Sequence, residues 1–482
     1  MKWVKLSLFM KRIKKLLVAN RGEIACRVIR TADEMGLQAT AVYTEHDEGM
    51  PHMTGREAVS ISTYLAMDEV IDAAKASGAD AIHPGYGFLA ENPEFARKCA
   101  AAGVVFIGPS PEAIEAVGDK SKARDQARKL GIPFTEGLGP FTKVADVEKA
   151  AAKLGAPLML KAAAGGGGKG MKKLLTLEGL REQVETSQRE TRAAFGDDRL
   201  IVERYIYPAR HVEVQIFGDG KRAIALGERE CSLQRRHQKL IEESPSTAVD
   251  DVLRDQLFDA AIRIAEAVGY KNAGTVEFLL GPDGEFYFLE VNARLQVEHP
   301  VTEMCTGLDL VRMQIEIAQG EKMKKQADVK REGHAIEARI NAEDPYNNFL
   351  PSAGEVLRAD FPEFPDEARV DSGLGSRVST EYDSLIAKLI AHANTRKKAT
   401  ENLICSLQST IIHGIYTNQA FLIHLLESTS FSKGLTFTST VDEIEIGPRP
   451  LAVELGGAAA WVLRGPTNQA TGIWCHSAWR LS

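Results

Sequence analysis

Between residues 15 and 46 short apolar runs alternate with helically spaced stretches. LLVAN (16–20) is an apolar run of strand length. GEIACRVIRTADEMG then puts Ile24, Val28, Ile29 and Met35 on or near one helical face, with Gly36 as a stop, and ATAVYT is the next strand. A βαβ unit of this kind implies a parallel sheet. DEVIDAAKASGADAIHP and PEFARKCAAAGVVFIGP repeat the pattern, so the first ~110 residues predict a doubly wound layer. No glycine fingerprint follows the first strand, which leaves a dinucleotide site unsupported there. Ser110-Pro111-Glu112 opens a further helix, and Gly131 and Pro133 close the one after it.

From about residue 134 the pattern becomes α+β. LMLKA, MKKLLT, RLIVERYI, HVEVQIFGD and RAIALGERE read as strands, and a charged helix is predicted at about 177–195. A helix over 251–268 precedes the strand pair AGTVEFLL and EFYFLEVN; HAIEARINAE opens another strand region, and helices at 396–409 and 418–427 follow. After about 445 no periodic element stands out, although Trp461, Trp474 and Trp479 all lie there.

Three stretches carry candidate chemistry. In LMLKAAAGGGGKGMKKLLT, Gly165, Gly167 and Gly170 match GxGxxG, but MKKLLT reads as a strand where a dinucleotide loop needs a helix. Strand–glycine loop–strand is a flap whose backbone N–H groups can close over phosphates, with Lys161 and Lys169 beside it. A flexible hairpin tip is the alternative that the loop alone leaves open. In AGTVEFLLGPDGEFYFLEVN a turn centred between Asp283 and Gly284 sets Glu277 opposite Glu290, Cβ atoms roughly 4.5–5.5 Å apart. Like charges there need a cation between them, Mg²⁺ being the natural choice, unless the pair faces solvent. EVNARLQVEH then alternates strictly, which in an extended segment points Glu290, Asn292, Arg294, Gln296 and Glu298 the same way. Alternation also fits an ordinary half-exposed strand. A guanidinium suited to a small oxyanion (Arg294) and a candidate general base (Glu298) make it an anion and proton-transfer site. ERECSLQRRHQK adds Arg235, Arg236, His237 and Lys239, readable as matching positive charge or as a basic surface patch.

Composition narrows the class. The 482 residues leave room for two to four domains, 44% are hydrophobic and 26% charged, and the net charge is −7. No global basic field invites nucleic acid or an anionic membrane, and no apolar run approaches the ~20 residues that span a bilayer. Six scattered cysteines without a CxxC pair point to a reducing compartment and away from zinc. A cytoplasmic location is expected, with the mitochondrial matrix as the eukaryotic alternative. MKWVKLSLFM lacks a small-residue cleavage site, so a signal peptide is not expected, and Met10 is an alternative start.

LLVANRGEIACRVIR, HPGYGFLAENPEFA, GDKSKAR, LKAAAGGGGKGM, GERECSLQRRHQK, AGTVEFLL, LEVNARLQVEHPVTE, GHAIEARINAEDP and YDSLIAKLI occur in this order between Lys14 and Glu443. Together they resemble the biotin carboxylase component of biotin-dependent acyl-CoA carboxylases, within the ATP-grasp superfamily. The resemblance implies an α/β and α+β multidomain chain. A Rossmann-like N-terminal domain is expected over 10–118, and an ATP-grasp domain over 119–333 with a mobile lid at about 136–206. A C-terminal biotin carboxylase domain over 334–445 and an atypical tail over 446–482 follow. It implies that Lys120, Lys161, the lid glycines Gly165, Gly166, Gly167 and Gly168, and Glu203, Arg204, Ile206, His211, Gln234 and His237 hold ATP. It makes Glu277, Glu290 and Asn292 the ligands of Mg²⁺ or Mn²⁺. Lys239, Arg294, Gln296, Val297 and Glu298 take the bicarbonate and catalytic positions, and Arg339 the enolate of biotin.

The implied reaction has Glu298 deprotonate bicarbonate held by Arg294 and Lys239. Bicarbonate attacks the γ-phosphate of MgATP and carboxyphosphate decomposes to CO₂ and phosphate; the phosphate takes the proton from biotin N1, and the resulting enolate, facing Arg339, captures CO₂. Glycines in the lid let backbone amides reach the phosphates and let the lid close and reopen. Ala90, Arg204 and Ala293 replace residues more common in the family (Ser, Lys and Thr), and DSGLGSRVST (371–380) looks about two residues short. No Ala-Met-Lys-Met biotin-attachment signal occurs, so biotin is expected on a separate carrier domain or protein. A carboxyltransferase subunit is the further partner, and a homodimer or larger complex the assembly. The competing readings are another ATP-grasp ligase, such as the carbamoyl phosphate synthetase large subunit or a purine-pathway carboxylase, and a non-catalytic ATP-binding subunit. RLQVEHP and the 334–445 region speak against the first; Glu298, Lys239 and Arg294 speak against the second.

Overall fold

The computed structural model describes residues 12–163, 171–362 and 368–447, without the side chains of 120, 121, 194 and 195. Gly165, Gly166, Gly167, Gly168, the Lys120 side chain and nearly all of the 446–482 tail therefore lie outside the described residues.

The N-terminal βαβ pattern folds into five parallel strands, β1 (Lys15–Val18), β2 (Gln38–Tyr43), β3 (Ala58–Ser60), β4 (Ala81–His83) and β5 (Val105–Phe106), in the order β3-β2-β1-β4-β5. Helix Gly22–Glu34 buries Ile24, Val28 and Ile29, the face its spacing predicts, and Met35 caps it. It also buries Glu23 and Arg27, which periodicity does not anticipate.

A second, four-stranded antiparallel sheet is built from β6 (Gly137–Phe141), β7 (Leu158–Ala162), β8 (Met171–Leu174) and β9 (Leu200–Arg204), in the order β6-β9-β7-β8. Helices Val144–Leu154 and Leu180–Phe195 supply Val147, Ala151 and Val184 to its core. Strand β6 is absent from the sequence reading. Gly139 and Pro140 interrupt its register between Leu138 and Phe141, and such residues are tolerated on an edge strand. β7 and β8 pair antiparallel with Lys161 opposite Met171, so a strand does follow the glycine segment.

The largest layer is an eight-stranded antiparallel sheet. Its strands are β10 (Arg210–Asp219), β11 (Ala223–Arg235), β12 (Gln238–Ser244), β13 (Lys271–Leu280), β14 (Phe286–Asn292), β15 (His334–Asn341), β16 (Ala368–Ser372) and β17 (Leu385–Ala393). The order is β14-β13-β10-β11-β12-β15-β17-β16. Alternation along the strands makes this sheet two-faced. Val212, Val214, Ile216, Val276 and Phe278 pack with helix Asp251–Ala267, and Ile336, Ala338, Ile340 and Leu389 pack with helices Arg396–Ser409 and Gln419–Glu427. The intervening positions, among them Glu213, Arg229, Glu277, Glu337 and Lys388, are equally buried but polar. Among the described residues no helix is long and apolar enough to cross a membrane.

Candidate active site

β13 and β14 pair with Glu277 directly opposite Glu290, the pairing expected from sequence, but by a different route. The turn centres on Asp283: the Gly281 N–H donates to the Glu285 carbonyl (2.8 Å), and Phe278 faces Phe288. A register shift between Glu277 and Phe278 then inserts one extra residue, Leu289, and brings Glu290 into line. Glu277 is buried, whereas Glu290 is half-buried.

The strictly alternating segment is not extended beyond Asn292. β14 ends there, residues 293–298 turn, and Glu298 caps helix His299–Thr306. Turning gathers the polar side chains instead of spreading them along a strand. Asn292 Nδ2 and Gln296 Nε2 donate to Glu277 Oε1 at 2.8 and 2.7 Å. Arg294 donates to Asn292 Oδ1 (3.0 Å), to its neighbour's carbonyl at Leu295 (3.2 Å) and to Glu91 (2.9 Å). The Val297 carbonyl accepts from Lys388 Nζ at 2.7 Å.

Lys239 joins the set from across the sheet. Its Nζ lies 2.5 Å from Glu298 Oε1, 2.6 Å from Glu213 Oε2 and 3.2 Å from Glu277 Oε1. The other Glu298 oxygen accepts from Arg339 at 2.8 Å, so one carboxylate bridges two cations. Behind them Arg229, wholly buried, donates to Glu213, Gln215, Thr302, Thr275 and Gln296 at 2.6–3.1 Å. A buried guanidinium with five polar partners fixes Glu213 and Gln296 in place.

Electrostatics follow from this geometry. Burial opposes ionisation of Glu298, but Lys239, Arg339 and Arg229 overcome it and hold the carboxyl well below its usual range. Glu277 is likewise held low against burial, by Lys239 and His211. Burial also opposes the charge on Lys239, yet the surrounding carboxylates hold its ammonium well above the usual range.

An oxygen-rich donor set of Glu277, Glu290 and the Asn292 amide fits a hard divalent cation. His211 Nε2, 3.0 Å from Glu277 Oε2 but out of line for a hydrogen bond, is a buried polar atom with capacity to spare. Among the described residues the tight grouping of ligand atoms around Glu277 is completed by His211 and Glu213, with Glu290 at the rim across the hairpin.

Of the expected nucleotide residues, Glu203 and Lys161 form a second group, whereas His211 and Gln234 adjoin the first. Glu203 on β9 is buried, pairs with Lys161 of β7 and accepts from Arg124 (2.5 Å) and Thr135 Oγ1 (2.7 Å). Burial raises its carboxyl, and Lys161 and Arg124 more than reverse that. Ile206 is buried, while Arg204 is exposed and its N–H donates to the Glu136 carbonyl at 2.9 Å. Gln234 pairs with Lys239 across the β11–β12 hairpin, and His237 sits at the turn with φ +66°. Burial, then Lys173, lowers the His237 imidazole below its usual value, so it is neutral at pH 7. Arg235, by contrast, is committed to Glu343 (3.3 Å) and to the Phe349 ring (3.8 Å to its centroid), which separates it from a freely exposed basic patch.

Glu213, Arg229, Glu91, Arg124, Glu242 and Lys388 escaped the sequence reading. Period-two polarity in HVEVQIFGD is the signal that held Glu213, whereas Arg229 and Glu242 lie in unbroken polar runs, ERE and EES, and Lys388 is a lone cation in the apolar run LIAKLI. Glu91 and Arg124 come from remote segments and leave no local trace.

Known proteins place this arrangement in a family. The model of the carbamoyl-phosphate synthase L chain ATP-binding domain matches residues 119–326, which alone leaves several ATP-dependent ligases in play. The flanks decide it: the biotin carboxylase N-terminal and C-terminal domain models match residues 12–114 and 337–443. Biotin carboxylase 1 of Bacillus subtilis is 44% identical over 447 residues, covering 90% of this chain and 99% of its own. The chain belongs to the biotin carboxylase family. The rat mitochondrial methylcrotonoyl-CoA carboxylase subunit alpha is 46% identical over 89% of this chain, which spans 62% of that relative's length. Among solved structures, the biotin carboxylase–β,γ-ATP complex from Campylobacter jejuni superposes with a TM-score of 0.84 at 41% identity, covering 90% of this chain and 99% of the other. A biotin carboxylase domain dimer of Hydrogenobacter thermophilus 2-oxoglutarate carboxylase, solved with MgADP and bicarbonate, gives 0.84 and 41%, covering 90% and 98%.

Proposed function

We propose that the chain performs the biotin carboxylase half-reaction: ATP-dependent carboxylation of carrier-borne biotin by bicarbonate, giving carboxybiotin, ADP and phosphate. The observation that carries this reading is the Glu298 carboxylate bridging Lys239 and Arg339, one acceptor between two cations in a buried site. Lys239 and Arg294 hold bicarbonate, with Gln296 and Val297 shaping its pocket. Glu298 takes the bicarbonate proton. Its basicity is suppressed while both cations face it. Bicarbonate drawing off the Lys239 ammonium, and the biotin ureido oxygen drawing off the Arg339 guanidinium, raise it toward the working pH only once both substrates are present.

A divalent cation held by Glu277, Glu290 and Asn292 would neutralise nucleotide phosphate charge. Lys120, Lys161, Gly165–Gly168, Glu203, Arg204, Ile206, His211, Gln234 and His237 bind ATP. For Lys161 to reach a phosphate its pair with Glu203 opens, and Glu203 keeps Arg124 and Thr135 as partners. The partners are a biotin carboxyl carrier and a carboxyltransferase subunit, in a homodimer or larger complex within a cytoplasmic or matrix acyl-CoA carboxylase. Incubation with MgATP, labelled bicarbonate and free biotin tests the reading. Acid-labile label on biotin is the expected product; ADP formation that leaves both free biotin and a biotinylated carrier unlabelled contradicts it.

A further inference from the structure

β12 and β15 pair so that Glu242 stands directly opposite Glu337. Both side chains are wholly buried, and among the described residues none donates an aligned hydrogen bond to any of their four carboxylate oxygens. The ionisable groups facing them are Lys239 of β12, Cys231 of β11, Arg339 of β15, Lys388 of β17 and Glu298 at the helix cap. The cations there are largely committed. Lys239 is shared among three carboxylates, and Lys388 holds Glu23 (3.2 Å) and the Val297 carbonyl (2.7 Å). Arg339 donates to Glu298, and its Nε lies 2.5 Å from Glu242 Oε1 but out of line for a hydrogen bond. Two full negative charges on the pair would have one misaligned guanidinium between them, and a buried carboxyl in that position neutralises instead.

We propose that Glu242 and Glu337 hold one proton between them at neutral pH, and that this singly charged pair is the positioning device for Arg339. One negative charge anchors the Nε side of the guanidinium and leaves its other nitrogens for Glu298 and biotin. A second negative charge pulls Arg339 back into the sheet; none leaves it unanchored. Burial pushes both carboxyls up, Glu242 to about 7, in keeping with a proton lost on the alkaline side. The inference rests on the reading of Arg339 as the residue that faces biotin.

Infrared difference spectroscopy of the full chain tests the proton without any turnover. A protonated-carboxyl C=O band at neutral pH that fades on alkalinisation and is missing from Glu337→Gln is expected. No such band in the unmodified chain, or a band unchanged in Glu337→Gln, overturns the proposal. In kinetics, Glu337→Gln leaves Glu242 as a single carboxylate with no shared proton to lose, so the alkaline fall of kcat/KM for biotin is expected to disappear. Glu242→Gln is expected to raise KM for biotin at least about fivefold more than KM for bicarbonate. Variants that lose activity equally at every pH, with both KM values moving together, reduce the pair to a structural role and refute positioning. A chain with the infrared band but no biotin carboxylation leaves the proton standing and refutes the functional reading instead.

Discussion

Glu298→Gln removes the acceptor that bridges Lys239 and Arg339 while keeping its shape. The structural cost is limited, because Lys239 retains Glu213 at 2.6 Å and Glu277 at 3.2 Å and Arg339 retains Glu242. Loss of two charge-assisted contacts with partial compensation costs about 1–3 kcal/mol of stability. For a domain of 150–250 residues that lowers Tm by about 2–4 °C per kcal/mol, small enough to leave the chain folded. The kinetic cost is larger: removing a general base lowers kcat by about a hundred- to ten-thousandfold. KM for MgATP is expected to stay within a few-fold, since Glu298 touches neither the Glu203 group nor Glu290. The assay is biotin-dependent ADP release at saturating bicarbonate, paired with thermal unfolding. A folded variant that keeps more than a tenth of the original kcat would refute Glu298 as the base.

Arg229→Met leaves Glu213 with one cation in place of two and strips four further acceptors, so a loss of about 3–5 kcal/mol is expected in urea unfolding; a change under about 1 kcal/mol contradicts the bracing role. Glu290→Gln is expected to weaken the divalent-cation dependence of ADP formation, and an unchanged metal titration contradicts the hairpin ligand pair. Glu298, Glu277 and Asp371 have carboxyls depressed below their unfolded value of 4.5 or 3.8, so their stabilisation is full above that range and is lost as pH falls through the folded values. Acid unfolding with proton uptake is therefore expected below about pH 4.5, and a smaller uptake in Glu298→Gln checks its share.

Much of the architecture was legible because periodicity reports burial. The helices Gly22–Glu34, Asp251–Ala267 and Arg396–Ser409 have one-sided apolar spacing or clear caps, and the strands around them alternate. β6 was not legible, since Gly139 and Pro140 erase the strand pattern while edge pairing to β9 creates it. The site was half legible. Glu277 and Glu290 followed from a hairpin, although the register depended on a bulge at Leu289 that no local signal announces. The gathering of Asn292, Arg294, Gln296 and Glu298 was expected from extended alternation and arises from a turn. Glu213 and Glu337 were hidden for the opposite reason, since polar residues on alternate strand positions suggest a solvated face, and Arg229 and Glu242 because runs of consecutive polar residues suggest the same; here that face is buried. Only cross-sheet pairing of acids with Arg229, Lys239, Arg339 and Lys388 makes such a face stable.

ADP release from the purified chain with MgATP and bicarbonate, with and without free biotin, tests the central claim most directly. Strong stimulation by biotin that disappears without bicarbonate is the result expected. ADP release that is indifferent to biotin, both free and on a biotinylated carrier, would contradict it.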